Sequence, residues 1–285
     1  MKSNNIFLGI IFMIASVFTL GINDIIVKGL SFKFPVWEIV FFRALSGVFV
    51  SIFLVIVFGF ASIKTKKPVG HLIRAFSAVA CVVLFFFGIK LLLLAENQAL
   101  FHSAPIIASI LAVPILGEKI GFHRIIAVLI GFLGVLIILK PGTELFNLYS
   151  LVSLGSGFFA ALTYLSTRYL MSTETSISII FYYSFALLFI SIFFISNNFL
   201  IPSFLELIPL ISLGIVGSFG HYFASLAAKN AEVVIITPFE YSSFIFVTLL
   251  GYIFYNEIPD VTIYIGILLI FISGVYIVYR EHTKI

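Results

Sequence analysis

Charge is the scarcest property of this 285-residue chain: only 10% of its residues are Asp, Glu, Lys or Arg, against about 25% in water-soluble domains. With 62% apolar residues and a mean hydropathy of +1.24, a water-soluble globule is excluded. Cysteine is nearly absent. The one residue, Cys81, lies in an apolar run, so no disulfide framework or cysteine-based metal site is expected within one chain, and the thiol reads as a small buried hydrophobe. The sequence also lacks a Walker A motif, HExxH, GxSxG and paired aspartates at facing helical positions, which argues against ATP hydrolysis and an intramembrane hydrolase. No catalytic residue, metal or cofactor is expected. The net charge of +4 raises nucleic acid as a partner, but the basic residues fall in alternate loops and point to a lipid bilayer instead.

Long apolar runs separated by short polar breaks make up the rest. Crossing about 30 Å of hydrocarbon takes about 20 apolar residues, so the chain has room for about ten spans and no soluble domain. Breaks at polar clusters, Pro and Gly predict helices over 5 to 28, 36 to 60, 70 to 92, 97 to 116, 122 to 139, 148 to 170, 177 to 196, 206 to 228, 233 to 255 and 261 to 279. The first run follows Lys2 but has no small-x-small cleavage site before a polar segment, so it reads as a retained helix. With the N-terminus inside, the cytoplasmic segments hold Lys2, Lys64, Lys66, Lys67, Arg74, Lys119, Arg124, Arg168, Lys229, Arg280 and Lys284, and the outer ones only Lys28, Lys33 and Lys140. That asymmetry in short loops places both termini in the cytoplasm.

The chain also repeats itself. AENQALFHSAP (Ala95 to Pro105) aligns without gaps on AKNAEVVIITP (Ala228 to Pro238), pairing Asn97 with Asn230 and Pro105 with Pro238. Each copy continues through an apolar run to a glutamate, Glu118 or Glu257, and then a Gly-containing helix ending at Lys140 or Arg280. The run from proline to glutamate is 13 residues in one half and 19 in the other. Five spans per half is an odd number, so the halves, 5–140 and 148–280, enter the membrane from opposite sides. Such inverted repeats belong to secondary transporters whose substrate site lies near the midplane between the halves. The fold class expected is therefore an all-α integral membrane protein of about ten transmembrane helices in two inverted five-helix repeats.

This arrangement resembles the EamA family of the drug/metabolite transporter superfamily. The segments INDIIVKGL, EIVFFRAL, LIRAF, LGEKIGFHRIIAVLIGFLGVLIILKPG and PFEYSSFIFVTLLGYIFYNEIPD are similar to the subgroup containing S-adenosylmethionine uptake transporters and riboflavin transporters, and the likeness runs nearly end to end. At Glu240 members of that subgroup often carry arginine, so this chain reverses a charge there. The resemblance implies a bacterial inner-membrane secondary transporter of a small polar metabolite, working by alternating access.

Ionisable groups inside the bilayer cost several kcal/mol unless they face a partner or a cavity, so their positions select candidates for substrate binding. Asn23 and Asp24 lie deep in helix 1. Asp24 either meets a cationic group of the substrate or pairs with Lys28, one turn on. Arg43, within FFRAL, either takes a carboxylate of the substrate or pairs with Asp24 or Glu38. Lys90 either snorkels to headgroups or turns inward. Asn97 and His102 open helix 4, where His102 either titrates or packs. Pro105 and Pro238 permit a helix bend. In the second half His221, Glu240 and Tyr241 form the comparable set, with Tyr164 and Tyr241 as faces for an aromatic ring or as interface anchors. Glu118 and Glu257 read as loop hydrogen-bonders.

Three functions follow from these residues and the resemblance. S-adenosylmethionine uptake, with exchange as one mode, suits two carboxylates, Asp24 and Glu240, facing sulfonium and ammonium groups, with an aromatic face for adenine. Riboflavin import needs stacking and neutral hydrogen bonds. Export of amino acids or related metabolites uses the same fold under a different gradient. Oligomeric state is not encoded in any of these features.

Overall fold

The computed structural model describes residues 6–116, 122–140, 147–170, 173–195, 199–231 and 236–282. Among these every regular element is helical, as the bilayer requires, because a helix satisfies all its backbone groups within one segment. The helices are α1 (Ile6–Ser31), α2 (Val36–Phe58), α3 (Pro68–Leu91), α4 (Leu94–Phe101), α5 (Ala104–Leu116), α6 (Phe122–Leu139), α7 (Ser150–Leu170), α8 (Ser176–Phe194), α9 (Phe204–Asn230), α10 (Ser243–Tyr255) and α11 (Val261–His282), with 3-10 turns at Phe60–Ile63 and Thr237–Ser242. Six of them are at least 18 residues long and apolar enough to cross a membrane. The expected fourth and ninth helices are not continuous, and their pieces complete ten transmembrane segments.

Local chemistry sets the ends. Pro68 opens α3, where a missing N–H costs nothing. Ser203 and Glu206 form a reciprocal capping box at α9, and Thr175 accepts from Ser178 N–H to cap α8. Gly59, at φ 83, ends α2, and Asn256, at φ 52, ends α10. The fourth span breaks at His102 and Ser103, whose N–H groups turn back to Gln98 and Leu100 carbonyls. Pro105 is then the second residue of α5, where no helical hydrogen bond is lost. In the ninth span the backbone of Pro238 lies in the 3-10 turn that precedes α10.

Packing obeys a pseudo-two-fold exchange of the halves. α1 packs on α9 as α7 packs on α3; α1 meets α10 as α7 meets α4 and α5; α2 meets α9 as α8 meets α3; and α2 with α8, and α6 with α11, pair across the axis. The chain is thus an all-α membrane protein of two inverted five-helix repeats. The α6–α11 contact is close because a Cβ on Gly134 would lie 2.9 Å from the Gly266 carbonyl, the small-residue approach by which membrane helices associate. Equivalent places in α2 and α8 are easily matched: Ser51 and Ser191 are each the sixteenth residue and each donates to a carbonyl three residues back. Arg43 and Tyr183 are each the eighth.

At the end of α1 that carries Lys28, the Asp24–Lys28 pair that was one of the two sequence readings does not form. Lys28 Nζ instead lies 2.8 Å from Glu257 Oε1 and donates to the Leu92 carbonyl at 2.6 Å, while Glu257 also accepts from Leu94 N–H at 2.7 Å. Glu257 was expected to make a loop hydrogen bond; it makes one and closes a buried ion pair besides. Glu38 is buried and accepts from Leu200 N–H, so Arg43 does not use it. Lys90 is exposed at the end of α3. Glu118, Lys2, Lys119 and Lys284, and the side chains of Arg124, Arg168, Lys229, Pro238 and Arg280, lie outside what is described.

Candidate functional site between the two halves

Polar side chains converge where α1, α2, α3, α7, α8 and α9 meet. Asn23 is held from both ends: its Nδ2 donates to the Leu213 carbonyl of α9 at 2.8 Å, and its Oδ1 accepts from Arg43 Nη1 at 2.9 Å. Arg43 also lies 5.3 Å from the Phe86 ring centroid and within electrostatic reach of the Tyr183 hydroxyl. Its guanidinium has room because residue 217 is glycine, where even a Cβ would approach it to 3.4 Å. Asp24 is buried within electrostatic reach of Arg43, and among the described residues no donor hydrogen-bonds to its carboxylate.

Three candidates, Tyr164, His221 and Glu240, are exposed. Tyr164 is 51% exposed, yet it lies one turn from buried Ala160 and Ala161 and two from Gly157, the face of α7 that packs on the α4 end. His221 is likewise exposed on the Gly214 and Gly217 face of α9, which abuts Arg43 and Ser46. The lipid-facing stripe of α9 runs instead through Phe204, Ile208, Ile211, Ile215, Phe219 and Tyr222. Glu240 is exposed in the 3-10 turn, near Tyr164 and Tyr241. Tyr164 and His221 are thus exposed on faces that also pack against neighbouring helices.

Other candidates are structural in this conformation. Asn97 is buried, accepting from Ser153 Oγ at 2.5 Å and reaching the Phe85 carbonyl, so it ties α3, α4 and α7 together. His102 caps the break in the fourth span, with Nδ1 2.9 Å from the Gln98 carbonyl and Nε2 3.4 Å from Ser243 Oγ at the start of α10. The two broken spans thus meet at His102. Tyr241 is not an open stacking face: it is 4% exposed, enclosed by His102, Phe244 and Phe271. Pro105 and Pro238 stand beside this junction rather than in it.

Three participants were missed from sequence. Arg74 was counted with the cytoplasmic loop charges; it lies in the second turn of α3 and turns inward, with Nε 3.4 Å from Thr167 Oγ1 and its guanidinium 5.2 Å from the Tyr183 ring centroid. Tyr183 stands in α8 where Arg43 stands in α2. Cys81, seven residues after Arg74 on the same face of α3, is only partly buried, with Arg43, Arg74 and Tyr164 around it. The seven-residue spacing of Arg74 and Cys81 was the available signal. Among the described residues no group of three or more His, Cys, Asp or Glu could hold a metal ion.

Comparison with known proteins agrees with this geometry. Residues 7–140 and 147–280 each match the EamA-like transporter family. The chain is 28% identical over 276 residues to an S-adenosylmethionine uptake transporter of Rickettsia prowazekii, covering 96% of this chain and 93% of that one. It is also 28% identical over 265 residues to the pseudopaline exporter CntI of Pseudomonas aeruginosa, covering 92% and 93%. An uncharacterized transporter of Helicobacter pylori is 28% identical over 96% of this chain and 95% of its own. A crystal structure 17% identical in sequence superposes with a TM-score of 0.64 over 100% of this chain and 99% of the other, a likeness of fold. The two matched repeats, the ten segments and the exchange symmetry agree: the chain belongs to the EamA-like transporter family and is a multi-pass membrane transporter.

Proposed function

We propose that this transporter takes up S-adenosylmethionine, with exchange as one mode, across the bacterial cytoplasmic membrane with both termini in the cytoplasm. The two halves, 5–140 and 148–280, rock about the central space, and no catalytic step is involved. The observation that carries the reading is a pair of carboxylates contributed by opposite halves: Asp24 from α1 and Glu240 from the turn before α10. Neither has an ion-pair partner within 4 Å among the described residues, so each is available to a cationic ligand. S-adenosylmethionine has sulfonium and ammonium groups for two such carboxylates, and its adenine suits the open ring of Tyr164. Asn23, Arg43 and His221 complete the proposed lining, while Asn97, His102, Tyr241, Pro105 and Pro238 shape it through the helix breaks. The similarity to a named S-adenosylmethionine uptake transporter supports the assignment.

The test is uptake of labelled S-adenosylmethionine into proteoliposomes. Asp24→Asn and Glu240→Gln are each expected to abolish saturable uptake while membrane insertion persists; full transport by both variants would sink the assignment. The named exporter among the relatives favours one second reading, export of amino-acid-derived metabolites. Counterflow from loaded vesicles with S-adenosylmethionine, S-adenosylhomocysteine, riboflavin and amino acids separates the two, because only the true cargo accelerates exchange.

A further inference from the structure

The central space is electrically lopsided. On the side of α2 and α3 stand two guanidinium groups, Arg43 and Arg74, with one tyrosine near both: Arg43 is within electrostatic reach of the Tyr183 hydroxyl and Arg74 lies over its ring. His221 is within electrostatic reach of both. The only described carboxylate near this side is Asp24, and it stands by Arg43. Among the described residues no carboxylate lies within 4 Å of Arg74, and its Nη1 is buried without a hydrogen-bond partner. Glu240 stands apart, beside Tyr164 and Tyr241. An arginine in a membrane interior with an unsatisfied N–H is costly unless something supplies an acceptor.

From this we infer an anion subsite between Arg43 and Arg74, with Tyr183 as its floor, that receives a carboxylate of the transported molecule. Planar guanidinium groups are matched to carboxylate geometry, and the Nη1 of Arg74 provides a donor that no described protein group uses. The cargo is then a zwitterion carrying an α-carboxylate, with one cationic group directed to Asp24 beside Arg43 and another to Glu240 farther off. This deepens the transport reading and rests on it. Arg74 is the specificity-determining residue because its buried Nη1 is the donor of the pair that no described protein group accepts from.

Cys81 supplies a reporter independent of the cargo, since it is the single cysteine of the chain, is only partly buried and lies within electrostatic reach of both arginines. In purified full-length protein in liposomes, the sulfonatoethyl and trimethylammonioethyl methanethiosulfonate reagents are compared, each rate divided by its rate with a free thiol. Labelling forms a mixed disulfide with Cys81 and releases methanesulfinate, and Cys81→Ala provides the blank. The anionic reagent is expected to react about tenfold faster, the scale on which a charged cleft concentrates counter-ions. Arg74→Gln should remove most of that preference and Arg74→Lys retain part of it. Equal rates, a cationic preference, or no labelling by either reagent would overturn the subsite, because a space that admits a carboxylate must admit a small sulfonate. Protection of Cys81 is then measured with S-adenosylmethionine and its decarboxylated analogue. Protection by the first alone supports both proposals, and equal protection by the two overturns the carboxylate subsite. A charge preference without protection by either leaves the anion subsite standing and removes S-adenosylmethionine as cargo.

Discussion

The inverted repeat brings the loop before α2 to the start of α9 on one face, the outer face of the proposed topology, and the loop before α8 to the start of α3 on the opposite, inner face, so the two ends offer the same backbone crossing with different chemistry. Outside, Lys33, three residues before α2, pairs with Glu206, the third residue of α9. Inside, Glu174, two residues before α8, pairs with His71, the fourth residue of α3, at 3.2 Å. The outer pair is half open to solvent, with Lys33 59% exposed, whereas the inner pair is 4% and 1% exposed. The outer face adds a second, buried tie, Lys28 with Glu257. Symmetry of fold therefore fixes where a tie is made, and the side chains decide which conditions loosen it.

The largest effect in this comparison is expected from Lys28→Ala. It strands the Glu257 carboxylate in a buried setting, and losing one partner of such a pair costs about 3 to 5 kcal/mol. Thermal denaturation in detergent should show the loss. The double variant Lys28→Met with Glu257→Leu should recover much of it, leaving the orphaned Leu94 N–H as the residual deficit. Failure of the double variant to improve on the single one would mean that the pair is not the main connection of the outer ends.

A smaller, pH-dependent effect is expected at the inner tie. Burial works against the charged Glu174, but hydrogen bonds from His71, the Lys66 N–H, Thr65 and Thr173 together outweigh it and hold the carboxyl at about 2, below its ordinary 4.5. A carboxyl depressed in the folded state contributes its stabilisation above 4.5 and loses it as pH falls toward 2. Wild type should therefore lose melting temperature from pH 4.5 downward more steeply than Glu174→Gln, and parallel curves would remove Glu174 from the account. The smallest effect is expected from Lys33→Ala. An exposed pair is screened by salt, so the melting temperatures of variant and wild type should converge as salt is raised to 1 M.

Much of the architecture was legible because hydropathy and helix length are coupled through bilayer thickness. Apolar runs located the spans, and the Pro105 and Pro238 echo marked both segments that turn out to be broken. The faces were less legible. A helix apolar on every side carries little amphipathic signal about which side turns inward, and Arg74, seven residues into α3, looked like a loop charge for that reason. Tyr241 looked like a stacking platform, but His102, Phe244 and Phe271, from three other places in the chain, enclose it. Lys28 illustrates the same limit at the level of one bond: Asp24 is four residues away in sequence, yet its actual partner is Glu257, brought to it by the packing of α1 against α10.

The sequence by itself determined the membrane class, the ten segments, the repeat and a short list of polar residues, because these follow from local chain properties: transfer free energy, backbone hydrogen-bond satisfaction and periodic similarity. Only the tertiary structure decided which of those residues share a space. The rotation of each helix about its axis, the two broken spans and the separation of Arg43 and Arg74 from Glu240 are set by contacts between elements remote in sequence. Those contacts depend on the joint shapes of many side chains, which no single segment records.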